Sequence, residues 1–272
     1  PTARNNFRTK YDCKVFSDFE LEKLPKVDVI FVSTTHQYLS KIACKTLQKG
    51  IHTFVEKPGA INYKSILEIK KIYLRKKNLA LSFGFNHRFH PSFLALKKII
   101  LEENLQNEIL SIRGTYGHGG RKGYESEWRM DPLKSGGGEL LDQGSHLIDL
   151  CHFLTNQKFN IEYSNLRKLF WNSEVEDNTN IILKSNSNNI YANLTASWTE
   201  WKNNFLFEVF TKKIQFTIKG LGGSYGTESL TIYRMSEEMG PPETTIFEYP
   251  GNDTSWKKET LAFFENIKNN NF

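Results

Sequence analysis

Apolar positions along this chain change their period several times, and each change marks an element. Residues 27–33 and 52–56 are short β-branched runs, and the stretch 39–49 between them repeats apolar positions at helical spacing. Strand, helix and strand of these lengths read as a βαβ unit with a parallel sheet. A helix over 63–77 and a strand over 79–85 continue the alternation, and a connecting helix over 90–103 has Pro91 in its first turn. Beyond it the pattern changes to runs of strands. The periodicity predicts strands at 109–117, 163–171, 178–185, 190–198, 204–211, 214–219 and 228–235, a glycine-led helix ending near residue 155, and a last helix over 256–267. The polar stretch 184–189 reads as a hairpin turn. Several uninterrupted strands after one helix imply a sheet with helices on one face.

Candidate chemistry concentrates at the glycine-led helix. Gly136-Gly137-Gly138 stand directly before a helical pattern that carries Asp142 and His146 four residues apart. On a helix those side chains leave the same face one turn apart. A carboxylate beside an imidazole can orient the ring while histidine takes or gives a proton near neutral pH. The glycines suit a tight turn with room for a ligand against bare backbone. A glycine-rich turn before a core helix, its histidine merely hydrogen-bonded, would look the same. The strand ends add to the picture, because ligands in parallel sheets sit beyond the carboxyl ends of the strands. Thr34 and Lys57 fall at two such ends, the second within Glu56-Lys57-Pro58.

Three segments, Glu56-Lys57-Pro58, Phe85-Asn86-His87-Arg88-Phe89 and the Asp142/His146 helix, occur in the order and spacing of the Gfo/Idh/MocA oxidoreductases, and the chain resembles that family over essentially its whole length. The resemblance implies an α/β plus α+β protein whose second domain presents an open, mostly antiparallel sheet. Residues 1–87 would be a partial Rossmann-type domain for NAD or NADP, and residues 88–272 a domain for substrate and oligomer contacts. It implies hydride transfer between nicotinamide and a secondary hydroxyl of a sugar, sugar nucleotide or cyclitol. Lys57, Asp142 and His146 correspond to the catalytic set: a lysine at the nicotinamide and substrate hydroxyl, a substrate-side carboxylate and a proton acceptor. Ser33, Thr34, His36, Glu56, Lys57, Pro58 and Asn86 would line the cofactor. Two other activities remain open on the same residues: hydrolysis of glycosidic bonds with tightly held NAD, and a non-catalytic sensor of sugar or cofactor.

The chain also departs from the family. No G-x-G-x-x-G string, whose amides would cradle a pyrophosphate, occurs in it. The expected Thr-Pro-Asn after the first strand is Thr34-Thr35-His36, where His36 either faces the adenosine side or is a loop histidine without a task. From the opening Pro1-Thr2-Ala3 and the closing Asn269-Asn270-Asn271-Phe272, the sequence is expected to be a piece lacking the first βαβ unit and a final helix.

Composition adjusts this reading only at its margins. A formal charge of +6 over 272 residues comes from scattered lysines, with Lys70-Lys71 and Arg75-Lys76-Lys77 expected on the solvated face of one helix, so nucleic acid is not implied. A modestly electropositive cleft would still attract a phosphorylated or carboxylated sugar. Cys13, Cys44 and Cys151 lack metal or disulfide spacing, which points to no metal site and to a reducing, cytoplasmic setting. No eighteen-residue apolar run suggests a membrane span. The loop 117–129 mixes glycine, arginine and aromatics, and Arg121, Tyr124, Trp128 and Arg129, together with Arg88, are the candidate substrate contacts, interdomain packing being the alternative. Trp198, Trp201, Phe205, Phe207 and Phe210 offer aromatic surface for a homodimer or homotetramer through the second sheet, or else its ordinary core.

Overall fold

The computed structural model describes residues 2–15, 25–76, 78–187 and 189–271. After helix α1 (Thr2–Tyr11), strand β1 (Val29–Val32), helix α2 (His36–Gln48), strand β2 (His52–Glu56), helix α3 (Tyr63–Tyr73) and strand β3 (Leu81–Gly84) form a three-stranded parallel sheet in the order β1-β2-β3. Parallel strands flanked on both faces need apolar residues on both. On one face Leu39, Ile42, Ala43 and Leu47 of α2 and Ile69 of α3 close over Val32 and Val55. Asn62 caps α3, its side chain accepting the Ser65 amide at 2.9 Å.

Helix α4 (Pro91–Glu102) leads into a larger sheet built from β4 (Ile109–Gly117), β5 (Phe159–Arg167), β6 (Asn178–Ser185), β7 (Tyr191–Ser197), β8 (Asn204–Thr211), β9 (Ile214–Lys219), β10 (Glu228–Arg234) and β11 (Glu243–Tyr249). Their spatial order is β11-β10-β9-β8-β4-β7-β6-β5. All neighbours run antiparallel except β4 and β7, which are parallel. Between β4 and β5 the chain forms the short helix α5 (Pro132–Ser135), a π-helical turn over Leu140–Gly144, and helix α6 (Ser145–Thr155). Strict alternation on β8 sends Phe205, Phe207 and Val209 into one core with Phe93 and Leu96 of α4 and Leu147 and Leu150 of α6. The sheet with helices on one face is therefore as the periodicity predicted, and its open, mostly antiparallel build is as the resemblance implied. Helix α7 (Ser255–Lys268) falls within the stretch expected for the second unit, yet it returns to the first sheet, where Phe263 packs on Phe54 and Ala80.

Some expectations change. Helix α3 stops at Tyr73, so Arg75 and Lys76 do not share its face; Lys76 Nζ instead donates to the Gln48 carbonyl at 2.9 Å, and Lys77 lies outside the described residues, as does Asn188 of the polar turn. The strand expected over 163–171 sits at Phe159–Arg167, because the Asp177 carboxylate takes the amides of Leu169, Phe170 and Trp171 at 2.8–2.9 Å and curls that segment off the ladder. Of the aromatic set proposed for an open face, Trp198, Phe205 and Phe207 are core residues with at most 3% exposure. Trp201 is exposed, and Phe210 lies half-buried beneath the Arg113 guanidinium.

Two of the three glycines before α6 give close chain approach rather than room for a ligand. Gly136 has φ of 85°, and a Cβ there would meet the Ile61 carbonyl of the first unit at 2.6 Å. A Cβ on Gly138 would lie 2.0 Å from the Glu176 carbonyl oxygen, whereas one on Gly137 meets only Leu141 at 3.4 Å. Gly138→Ala should therefore lower stability by at least about 3 kcal/mol, the upper range of overpacking, while Gly137→Ala should stay within about 1 kcal/mol of the parent. Urea unfolding midpoints of the two variants check this, and equal losses would contradict it.

Candidate active site

Two sets of chain ends meet in one cavity of about 600 Å³. From the first unit come Glu56 and Lys57 at the end of β2, Gly84 at the end of β3, and Asn86. From the second come Asp142 on the π-helical turn and His146 on α6. A π-helical turn is uncommon and often found at functional sites. Its start is held by Glu176, whose carboxylate accepts the Gly138 amide at 3.1 Å and the Leu140 amide at 3.2 Å. Three contacts clamp the units together, and the Arg88–Asp149 pair ties the connection after β3 to α6. Lys57 Nζ donates to Asp142 Oδ1 at 2.5 Å and to the Asp142 carbonyl at 2.7 Å. His36 Nδ1 bonds to the Ser135 carbonyl at 2.8 Å. Arg88 grips Asp149 of α6 through two nitrogens, with Nε to Oδ2 at 2.7 Å. Ile61 fills the space against Gly136.

The ionisation states follow from burial and neighbours. Burial pushes the Asp142 carboxyl up, but Lys57, Arg129 and His36 outweigh it and leave its pKa below the ordinary carboxylate value. Arg129 Nε lies 3.3 Å from Asp142 Oδ2. Burial first, then Lys57 and His90, hold His146 well below the usual histidine value, so its ring is neutral. Its Nδ1 has no hydrogen-bond partner. The ring stacks on His87 with centroids 3.8 Å apart, and His87 is likewise neutral because of burial and then the adjoining His146 and His90. His90 in turn bonds Glu228 Oε2 at 2.9 Å. Beneath the site Glu139 is wholly buried, facing the Trp198 indole N–H without closing a hydrogen bond of ordinary geometry. Burial and the nearby Asp142 raise its pKa well above the carboxylate range, so it is a neutral acid.

Of the residues singled out from sequence, Lys57, Asp142, His146, Glu56 and Asn86 border the cavity, as do Arg121, Tyr124 and Arg129. Ser33 and Thr34 are exposed past β1, outside the cavity lining, and Pro58 also lies outside it. His36 is not a loop histidine: it opens α2, buried, with its ring edge-on to Trp128 at 4.7 Å. Two substrate candidates are corrected. Arg88 points away from the cavity because its guanidinium is committed to Asp149, and Trp128 does not line it because its ring covers His36 and carries Arg129 on its face. Sequence reasoning missed His87, Glu139, Glu176 and the cavity-lining Gln143 and Tyr225. His87, Glu139 and Gln143 lie inside segments already singled out, whereas Glu176 and Tyr225 had no local signal. No cluster of His, Cys, Asp or Glu able to hold a metal occurs among the described residues, and no helix among them is long and apolar enough to cross a membrane.

A parallel sheet whose strand ends deliver Lys57 to a carboxylate and histidine on a second, antiparallel domain defines a dinucleotide-type oxidoreductase architecture. Residues 1–85 match the family described as "Oxidoreductase family, NAD-binding Rossmann fold", and residues 93–225 match "GFO/IDH/MocA C-terminal domain". The chain belongs to the Gfo/Idh/MocA family. It is 31% identical over 137 residues to levoglucosan dehydrogenase of Pseudarthrobacter phenanthrenivorans, a match that covers 49% of this chain and 34% of that protein. It is 24% identical over 248 residues to glucose-6-phosphate 3-dehydrogenase of Bacillus subtilis, covering 84% of this chain and 68% of the relative. The chain thus spans about a third of the first relative's length and about two thirds of the second's. The solved structure of levoglucosan dehydrogenase in complex with NADH superposes with a TM-score of 0.86 at 19% identity, over 99% of this chain and 79% of that one.

The neutral Glu139 generates a prediction about pH. A carboxyl whose folded pKa is raised favours the folded state at low pH and works against it as pH climbs past its unfolded value of about 4.3. Glu139→Gln keeps shape and neutrality, so the variant should match the parent below about pH 4 and become progressively the more stable of the two toward pH 9. Thermal melts across that range measure the difference. A constant gap would show that Glu139 is ionised in the fold.

Proposed function

We propose that the protein is a nicotinamide-dependent oxidoreductase that moves hydride between NAD or NADP and a secondary hydroxyl of a sugar, sugar nucleotide or cyclitol. The observation that carries this is the convergence of Lys57, Asp142 and His146 on one cavity from two different domains. Glu56, Lys57, Gly84 and Asn86 line the cavity at the strand ends together with His146 and Tyr116, and this strand-end group fits the nicotinamide end of a dinucleotide. Ser33 and Thr34 beyond β1, His36 at the start of α2 and Pro58 after Lys57 border the path such a cofactor takes along the sheet edge. A bound nicotinamide would supply the hydride acceptor.

The chain's own groups handle the proton and the charge. His146, held neutral by burial, accepts the hydroxyl proton. Lys57 Nζ stabilises the developing alkoxide, and Asp142 fixes that ammonium through both its side chain and its carbonyl. The low-dielectric surroundings strengthen each interaction relative to water. Arg121, Tyr124 and Arg129 border the substrate end. The outer face of the large sheet, with half-buried Phe210 and exposed Tyr191 among its side chains, is where two copies would pack as a homodimer or, in pairs, a homotetramer. A cytoplasmic setting agrees with three unpaired cysteines.

His146→Ala should leave NADH binding in place and reduce kcat by on the order of 10²–10⁴-fold. Turnover close to the parent's would remove His146 from the proton path. Sedimentation equilibrium should report a mass of at least two chains, and a monomer at all concentrations would retire the sheet-face interface.

A further inference from the structure

We infer that His87 is a positioning residue for the proton acceptor: its ring, held in one tautomer by Asn86, is the face against which His146 is set, and it ties that histidine to helix α7. The inference rests on the role given to His146 above and adds to it a residue which that role does not use.

A histidine that carries a proton during a reaction is usually oriented through its second ring nitrogen, by a carboxylate or a backbone carbonyl. His146 has no such partner. Its Nδ1 is buried without a hydrogen bond, which leaves Nε2 as the nitrogen for the cavity that His146 lines. The carboxylate one turn before it, Asp142, is committed to Lys57 and Arg129. A buried N–H without an acceptor is costly, so hydrogen bonding is not what holds this ring. Packing holds it instead. Phe85 stands edge-on to it with centroids 5.8 Å apart and Tyr116 is tilted at 6.2 Å, whereas His87 lies at 3.8 Å with 23° between the ring planes. Of these three rings only His87 makes contact face to face.

His87 is in turn fixed from behind. Asn86 Nδ2 donates to Ser255 Oγ at 2.8 Å, which turns the amide oxygen of Asn86 to His87 Nδ1 at 3.1 Å. An amide oxygen only accepts, so this network assigns the proton of neutral His87 to Nδ1 and leaves a lone pair on Nε2. That Nε2 is buried and has no partner. Ser255 is wholly buried at the start of α7, with its amide on Asp253 Oδ1 at 2.7 Å. Helix α7 therefore reaches His146 on α6 through Ser255, Asn86 and His87.

The groups around the pair keep His87 from competing for the proton. Burial first, then His146, His90 and Lys57 hold it well below the usual histidine value. His90 is edge-on to it at 5.4 Å and is engaged by Glu228 Oε2 at 2.9 Å, with Asp253 Oδ2 3.9 Å from its other nitrogen. Tyr116 and Phe205 pack on His87 from the sheet, and burial keeps the Tyr116 phenol protonated. When His146 accepts a proton, the charge forms against a neutral aromatic face, which attracts a cation and does not take the proton on.

Long-range proton–nitrogen NMR of the full chain labelled at histidine tests this, because each of the seven histidines reports its tautomer and its titration. The measurement uses neither substrate nor cofactor, so its outcome is separate from that of the hydride reading, which turnover of His146→Ala decides. His87 should appear as the Nδ1–H form and stay neutral from about pH 5 to pH 9. The Nε2–H form at His87 would overturn the inference. His146 should stay neutral over the same range in the parent and in His87→Phe, which keeps a flat, dry face. In His87→Ala, where the face is gone and water enters, His146 should titrate within that range, its pKa moving up toward the ordinary histidine value. Titration of His146 in both variants, or in neither, would overturn the role of the stack. The tautomer of the parent is read without any variant and decides the matter even where His87→Ala fails to fold.

Discussion

The contact between Lys57 and Asp142 is the constraint on which the remaining geometry depends. It joins the carboxyl end of a buried parallel strand to a π-helical turn in another domain, and it uses both the side chain and the backbone carbonyl of one residue. A lysine in this position, with 18% of its side chain exposed, has little water to solvate it. Removing either partner would leave a charge stranded, which typically costs about 3–5 kcal/mol. The surrounding contacts are consistent with one fixed docking: Gly136 admits Ile61, His36 reaches Ser135, and Arg88 reaches Asp149. Because Arg88 and His146 engage the same α6, the clamp and the candidate base move as one body.

Much of this architecture could be read from the sequence where periodicity and burial coincide. Strands β2, β6, β8 and β9 lie at the expected residues because each is either apolar over its centre or alternates apolar and polar positions, and β4 lies there too despite a register shift near Ile109. Strand β11 was missed for the opposite reason. Nearly all of Glu243–Tyr249 is exposed, so no buried face imprints a period on it, and only its ladder with β10 makes it a strand. The position of β5 escaped because its end is set by Asp177, a side chain six to eight residues further on that withdraws three amides.

The site shows the same division. Lys57, Asp142 and His146 were legible because a motif and a helical spacing placed them. Arg88 and Trp128 were misassigned because an arginine and a tryptophan look alike in sequence whether they face a ligand or a neighbouring element. The choice was made by Asp149 and His36, neither of them adjacent in the chain. The roles of Glu139 and Glu176 were not legible, since a carboxyl is ordinary in sequence until the fold buries it, as at Glu139, or sets it against free amides, as at Glu176. Their arrangement separates two nearby acids into a neutral one and a charged one, which concentrates negative charge on Asp142.

The lone parallel pairing in the large sheet bears on how the site comes into being. Strand β4 finds β7 with Ser111 opposite Tyr191, and everything between them, including the π-helical turn, α6, β5 and β6, lies inside the loop that this pairing closes. Closing so long a loop is entropically slow compared with forming the hairpins β5–β6, β8–β9 and β9–β10. The hairpins are local and can form early, but Asp142 and His146 lie within the long loop, on elements that have no fixed place until the centre of the sheet joins. A chain emerging from the ribosome would thus carry its neutral histidine and its paired lysine as separate, water-exposed groups until the last long-range closure, and the acid–base properties of the site would switch on at the end of folding rather than accumulate along the way.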